Sequence, residues 1–135
     1  MLNSSRPAPG QCFTRPGPPL TQDAFNDFGR LLGTDAPIHV DPDYAAKTPF
    51  KRTFAQGMLL LAPFESWLCE LFGEEAWVNG GSLKAKLLHP AMVGDSTDLE
   101  MQAGEISNGR LTLELRILCA GKVLAVGEAA VRIND

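Results

Sequence analysis

The sequence predicts an α+β fold: a curled antiparallel sheet wrapped around one long buried helix. Three features predict it. The stretch "QGMLLLAPFESWLCELFG" (Gln56 to Gly73) is apolar almost all round, the pattern of a helix buried inside a domain. The last third of the chain alternates with period two, as in "RLTLELRI", where Leu111, Leu113, Leu115 and Ile117 share one face and polar residues the other. A sheet with one dry face needs a cover, and the buried helix is the only segment suited to be one.

Each element follows in order. Residues 1–20 hold five of the ten prolines and are expected to be irregular, apart from one short strand near "QCFTR". "LTQDAFNDFGRLLG" starts a helix. Thr21 or Asp23 can cap it, Leu20, Ala24, Phe25, Phe28, Leu31 and Leu32 give the buried face, and Gly33 ends it. A loop follows, "LLGTDAPIHVDPDYA", which packs two prolines, three aspartates and a histidine together, with a short helical turn at "PDYAAKT". The central helix is expected near residues 57–72, with Pro63 kinking it or delaying its regular part. "SLKAKLL" and "STDLEMQAGEI" alternate as strands. Asn108-Gly109 is the strongest hairpin signal in the chain, and Ala120-Gly121-Lys122 turns the next hairpin into "VLAVGEAAVRI".

Composition narrows the function. The chain has 135 residues and is expected to form one domain over 1–135, large enough for a real core yet of a size often completed by a partner subunit. A net charge of −4 argues against a nucleic-acid partner. Three cysteines, Cys12, Cys69 and Cys119, are an odd number without metal-ligand spacing. They read as buried thiols in a reducing, cytoplasmic compartment, with no metal site. "MLNSSRPAPGQ" lacks the apolar run of a secretory signal, and "GMLLLAPF" is far too short to span a bilayer, so no membrane partner is expected.

The chemistry centres on "PIHVDPD". His39 between a proline and an acidic turn can serve as a general base near neutral pH when a carboxylate orients it. On spacing alone, a structural histidine in a loop is the commoner case. His89, in "LLHPAMVGDS", reads as a rim or turn residue.

The stretch "LGTDAPIHVDPDYAAKTPFKRTFAQGMLLLAPF" resembles the signature of the MaoC-like (R)-specific enoyl-CoA hydratases, a hot-dog-fold family. Their pattern runs glycine, aspartate, any residue, asparagine, proline, aliphatic, histidine, followed by a "DP.YA" turn and a "HGML" helix start. "LLHPAMVGDSTDLEMQ" and "LAVGEAAVRI" resemble the later strands, so the likeness covers roughly residues 20–135. It implies a hot-dog fold and a hydratase or dehydratase acting on an acyl thioester, with coenzyme A or a carrier protein as the thiol and no further cofactor. It also implies a homodimer or larger oligomer. In that family the histidine and aspartate hold a water against C3 and move a proton at C2, and a backbone N–H, here that of Gly57, stabilises the thioester oxygen.

The chain departs from the pattern at the site. Thr34 stands where the family has its aspartate, Ala36 replaces the asparagine, and Gln56 replaces the histidine before Gly57. Pro37, Ile38 and His39 match. Asp35 comes one residue late, and either reaches the site by a backbone adjustment or only caps and solvates the turn. Glu65, eight residues past Gly57, is the other acid that could partner His39; otherwise it belongs to a polar stripe with Ser66, Cys69 and Glu70. Phe50, Phe54, Met58, Leu61 and Trp67 are candidates for an acyl pocket, with Thr34 and Gln56 beside it. Lys47, Lys51, Arg52, Lys84 and Lys86 are candidates for the phosphates of coenzyme A. Two other readings stay open: a non-catalytic acyl-thioester binder or degenerate hydratase subunit, and a hot-dog thioesterase in which Glu65 activates water.

Overall fold

In the computed structural model, which describes residues 6–133, the chain runs β1 (Cys12–Pro16), α1 (Gln22–Leu32), α2 (Pro37–Val40), α3 (Pro42–Ala46), α4 (Gly57–Phe72), α5 (Glu74–Val78), β2 (Ser82–Leu87), β3 (Asp98–Ser107), β4 (Arg110–Cys119) and β5 (Lys122–Arg132). The five strands form one antiparallel sheet in the order β1-β3-β4-β5-β2. With α4 packed on its dry face, this is the hot-dog arrangement.

The alternating residues build that face row by row. Leu99 pairs with Ile117 and Ile117 with Ala125; Ala103 pairs with Leu113 and Leu113 with Ala129. These residues join Leu59, Leu60, Phe64, Trp67 and Leu68 of α4 in one core. Phe64 and Leu68 are completely buried, and truncating such a phenylalanine to alanine costs roughly 3–5 kcal/mol. The opposite face is wet: Glu100 accepts a hydrogen bond from Arg116 across the β3–β4 pair at 2.5 Å.

Both hairpins are two-residue turns with positive φ at each centre, Asn108 (54°) with Gly109 (72°) and Ala120 (50°) with Gly121 (82°). Two such residues in succession match the right-handed twist of the flanking strands. Helix α1 is capped by Thr21, whose Oγ1 accepts from the Ala24 N–H at 3.1 Å, and ends on Gly33 in the left-handed conformation.

Four expectations are corrected. Leu31 and Leu32 are exposed, at 80% and 61%. Leu31 lies about 240° round the helix from the buried Phe25 at 100° per residue, and Leu32 is in the last turn before the chain leaves. "PIHV" is a turn of helix (α2), begun by Pro37 at its first position, not part of an open loop. Helix α4 is continuous through Pro63 and is not buried all round: the sheet covers one side, and Met58, Glu65, Ser66 and Glu70 are exposed on the other. The cysteines are not buried thiols. All three are free, Cys12 is exposed on the outward side of β1, and Cys69 and Cys119 are partly exposed. Three further features carried no sequence expectation: α5, and shifts of register between Ala103 and Ile106 and between Ile117 and Leu118. Among the described residues, no helix is long and apolar enough to cross a membrane.

Candidate functional site

The segment just before α4 is clasped from both sides. On one side, the Ala55 N–H donates to the Ala91 carbonyl at 2.9 Å and the Val93 N–H to the Thr53 carbonyl at 3.0 Å. On the other, α2 leans in: His39 Nδ1 lies 2.8 Å from the Phe54 carbonyl, and the His39 ring meets the Phe54 ring edge-on at 5.3 Å. Gln22 ties α1 to the same turn, donating through Nε2 to the His39 carbonyl at 2.8 Å while accepting from Thr53 Oγ1 at 2.6 Å. The clasp leaves a cavity of about 330 Å³ at the start of α4.

His39, Phe50, Phe54, Gly57, Leu60, Leu87 and His89 are among its walls. Only a protonated Nδ1 can donate to a carbonyl, so the Phe54 contact assigns neutral His39 the tautomer with Nδ1–H and a free lone pair on Nε2. Gly57 is the first residue of α4, where an N–H has no partner within the helix, and the dipole of sixteen aligned residues adds positive potential there. A Cβ on Gly57 would lie 2.6 Å from Leu87 Cδ1, so the glycine lets β2 close the cavity. The site thus combines a proton acceptor, an anion-stabilising N–H and apolar walls.

The other residues singled out from sequence lie elsewhere. Asp35 is exposed and packs its backbone against Gly29 of α1. Glu65 is exposed in two grooves on the far side of α4. One groove has Ser66, Cys69, Glu70 and Glu74 along it, and the other Met58, Leu61 and Trp77. Burial first, and then the Glu65 and Glu74 carboxylates, push the Cys69 thiol above its ordinary pKa. Trp67 belongs to the core, with the Arg15 guanidinium 4.7 Å from its ring centroid. Among the described residues no carboxylate lines the His39 cavity and no ion pair involves His39.

Thr34 and Gln56 form a strut. Gln56, 2% exposed, donates through Nε2 to the Phe25 carbonyl at 2.8 Å and to the Thr34 carbonyl at 3.0 Å. It binds the first half of α1 and the loop just after it to the start of α4. Thr34 Oγ1 and Gln56 Oε1 are buried without a partner. Of the basic residues, Arg52 is held by the Val93 carbonyl at 3.0 Å and lies 3.9 Å from Asp95, while Lys47, Lys51, Lys84 and Lys86 are exposed. Sequence reasoning missed Leu87 and Leu88 as cavity walls and gave His89 only a rim position. The one signal was their place between a strand and Pro90, beside the clasp.

Comparison with known proteins agrees with the fold. The model of the MaoC like domain family matches residues 5–117. The chain is 39% identical over 110 residues to an (R)-specific enoyl-CoA hydratase of Aeromonas caviae, covering 78% of this chain and 81% of that one. It is 28% identical over 123 residues to 3-hydroxyacyl-thioester dehydratase Z of Mycobacterium tuberculosis, covering 84% and 82%. Among solved structures it resembles the (R)-hydratase from A. caviae involved in PHA biosynthesis, with a TM-score of 0.82 and 27% identity over 94% of this chain and 97% of that one.

Proposed function

The chain belongs to the MaoC-like domain family, and we propose that it is a hydratase or dehydratase acting on an acyl thioester of the enoyl-CoA or 3-hydroxyacyl-CoA type. The observation that carries this reading is the His39 Nδ1–H bond to the Phe54 carbonyl, which leaves Nε2 as acceptor in a cavity shared with Gly57 at the head of α4. The acyl chain lies along Phe50, Phe54, Leu60 and Leu87. Its thioester oxygen accepts from the Gly57 N–H, and Nε2 of His39 takes the proton of a water as its oxygen adds to C3. A hydrogen-bond donor aimed at the developing oxyanion is worth roughly two to three powers of ten in rate. A short trans-2-enoyl-CoA assayed for loss of the conjugated thioester absorbance tests this. The purified chain is expected to turn it over, and His39→Ala to lower the rate on the order of a hundredfold or more.

A non-catalytic acyl-thioester binder is the second reading. Its support is the lack of a carboxylate in the cavity lining among the described residues, with Thr34, Asp35 and Glu65 all elsewhere. It predicts thioester binding with no turnover. A thioesterase using Glu65 has less support, because Glu65 and Gly57 line different hollows of α4.

We place the protein in a reducing, cytoplasmic compartment, on the strength of three free thiols. We assign it a homodimeric or higher state. Among the described residues strand β2 pairs only with β5 and leaves an open edge, and Met58, Leu87, Leu88 and Val126 stay exposed nearby at 58%, 48%, 43% and 38%.

A further inference from the structure

We propose that His89 is a second catalytic residue of this site, the proton donor that works with His39; the proposal rests on the hydratase reading above. The cavity walls carry two imidazoles and, among the described residues, no other side chain that can move a proton at neutral pH. Hydration needs two proton transfers at different atoms, one from water and one to C2. His39 is committed at Nδ1 to the Phe54 carbonyl, so it exchanges protons only through Nε2. A second group at C2 spares one nitrogen from serving both atoms, and the walls offer His89.

His89 is built into place. The Leu88 and His89 N–H groups both donate to the Leu124 carbonyl, at 2.8 and 3.1 Å, where the chain leaves β2. Pro90 follows, and the Ala91 carbonyl accepts from Ala55. The backbone is pinned on both sides of the residue, while the imidazole itself is exposed at the rim and makes no hydrogen bond among the described residues. The residue thus borders both solvent and the cavity.

The step balances. Water oxygen bonds to C3 as the proton of that water passes to Nε2 of His39. The C2=C3 π pair moves toward the carbonyl, giving an enolate whose oxygen accepts from the Gly57 N–H. The enolate then takes a proton at C2 from the His89 imidazolium. His39 ends protonated and His89 neutral, and exchange with solvent resets both. Dehydration runs the same path backwards.

The test compares wild type, His39→Gln, His89→Gln and His89→Gly on a short enoyl-CoA, with binding of the saturated thioester measured beside the rate. The expected result is a loss in kcat on the order of a hundredfold for His89→Gln, with thioester Kd changed by less than about threefold, and partial recovery of His89→Gly on adding free imidazole. Exchange of the C2 proton of the 3-hydroxyacyl product into heavy water should fall in parallel. Because His89 is exposed, its variants are expected to keep the wild-type circular dichroism spectrum, and the imidazole recovery excludes misfolding as the cause. If His39→Gln loses activity while both His89 variants keep theirs, the role of His89 is overturned and the hydratase reading stands. If the wild type turns over no enoyl thioester, that reading fails and the role of His89 falls with it.

Discussion

Replacing Gln56 with alanine is expected to lower stability by about 2 kcal/mol while leaving the walls of the His39 cavity in place. The side chain is 2% exposed and donates to two carbonyls, Phe25 at 2.8 Å and Thr34 at 3.0 Å. The Phe25 carbonyl lies inside α1 and keeps its helical partner, so that loss costs about 1 kcal/mol. The Thr34 carbonyl has no other hydrogen bond among the described residues and is left unsatisfied, at about 2 kcal/mol. Alanine also removes Oε1, a buried acceptor without a partner, which offsets about 1 kcal/mol. For a domain of this size each kcal/mol shifts Tm by roughly 3–4 °C, so Tm should fall by roughly 7 °C. Gln56→Glu keeps the shape but sets a carboxylate against two carbonyl oxygens. It must stay charged against them or bind a proton, and should fall further than alanine. Thermal melts followed by circular dichroism, at one fixed protein concentration because the Tm of an oligomer depends on it, decide the matter. Both variants melting within about 2 °C of wild type would refute the strut.

Asp35→Asn and Glu65→Gln should each leave enoyl-CoA turnover within about twofold, since neither side chain lines the cavity; a hundredfold loss for either would put that carboxylate back into the chemistry. Iodoacetamide should alkylate Cys12 well before Cys69. Burial and two carboxylates raise the Cys69 pKa, so its thiolate fraction at any pH below that value is reduced. Glu65→Gln removes one carboxylate and should speed Cys69 alone, as mass spectrometry of the labelled chain would read. Sedimentation at micromolar concentration should show a dimer or larger, and Leu87→Asp should weaken it; a wild-type monomer would count against an interface at β2.

The sheet was legible because period-two alternation and the Asn108-Gly109 and Ala120-Gly121 turns are local signals, and each sits where local chemistry places it. Helix α4 was legible as an element, and the stripe of Glu65, Ser66, Cys69 and Glu70 was legible as a side open to solvent or a partner; the structure exposes Glu65, Ser66 and Glu70 there. His39 and Gly57 were legible as partners only through the resemblance, because the contacts joining them run through the backbone of Phe54 and the pairing of 53–55 with 91–93. Such links are made between carbonyls and amides and leave no mark in side-chain spacing. For the same reason Glu65 stayed a candidate acid in the sequence. Its separation from Gly57 along α4 is fixed, but which of the two faces His39 depends on where α2 docks. The position of Gln56 illustrates the converse: a residue read as a neighbour of the acyl pocket ties α1 and the loop after it to the start of α4.

The most direct test of the account separates binding from turnover at His39. Wild type and His39→Gln are compared for kcat on a short enoyl-CoA and for Kd of the matching saturated thioester by calorimetry. The account predicts a fall in kcat on the order of a hundredfold or more with Kd within about threefold, because His39 moves a proton while Phe50, Phe54, Leu60 and Leu87 hold the chain. Thioester binding by the wild type with no turnover, unchanged by His39→Gln, would contradict it and leave a binding protein on a hydratase scaffold.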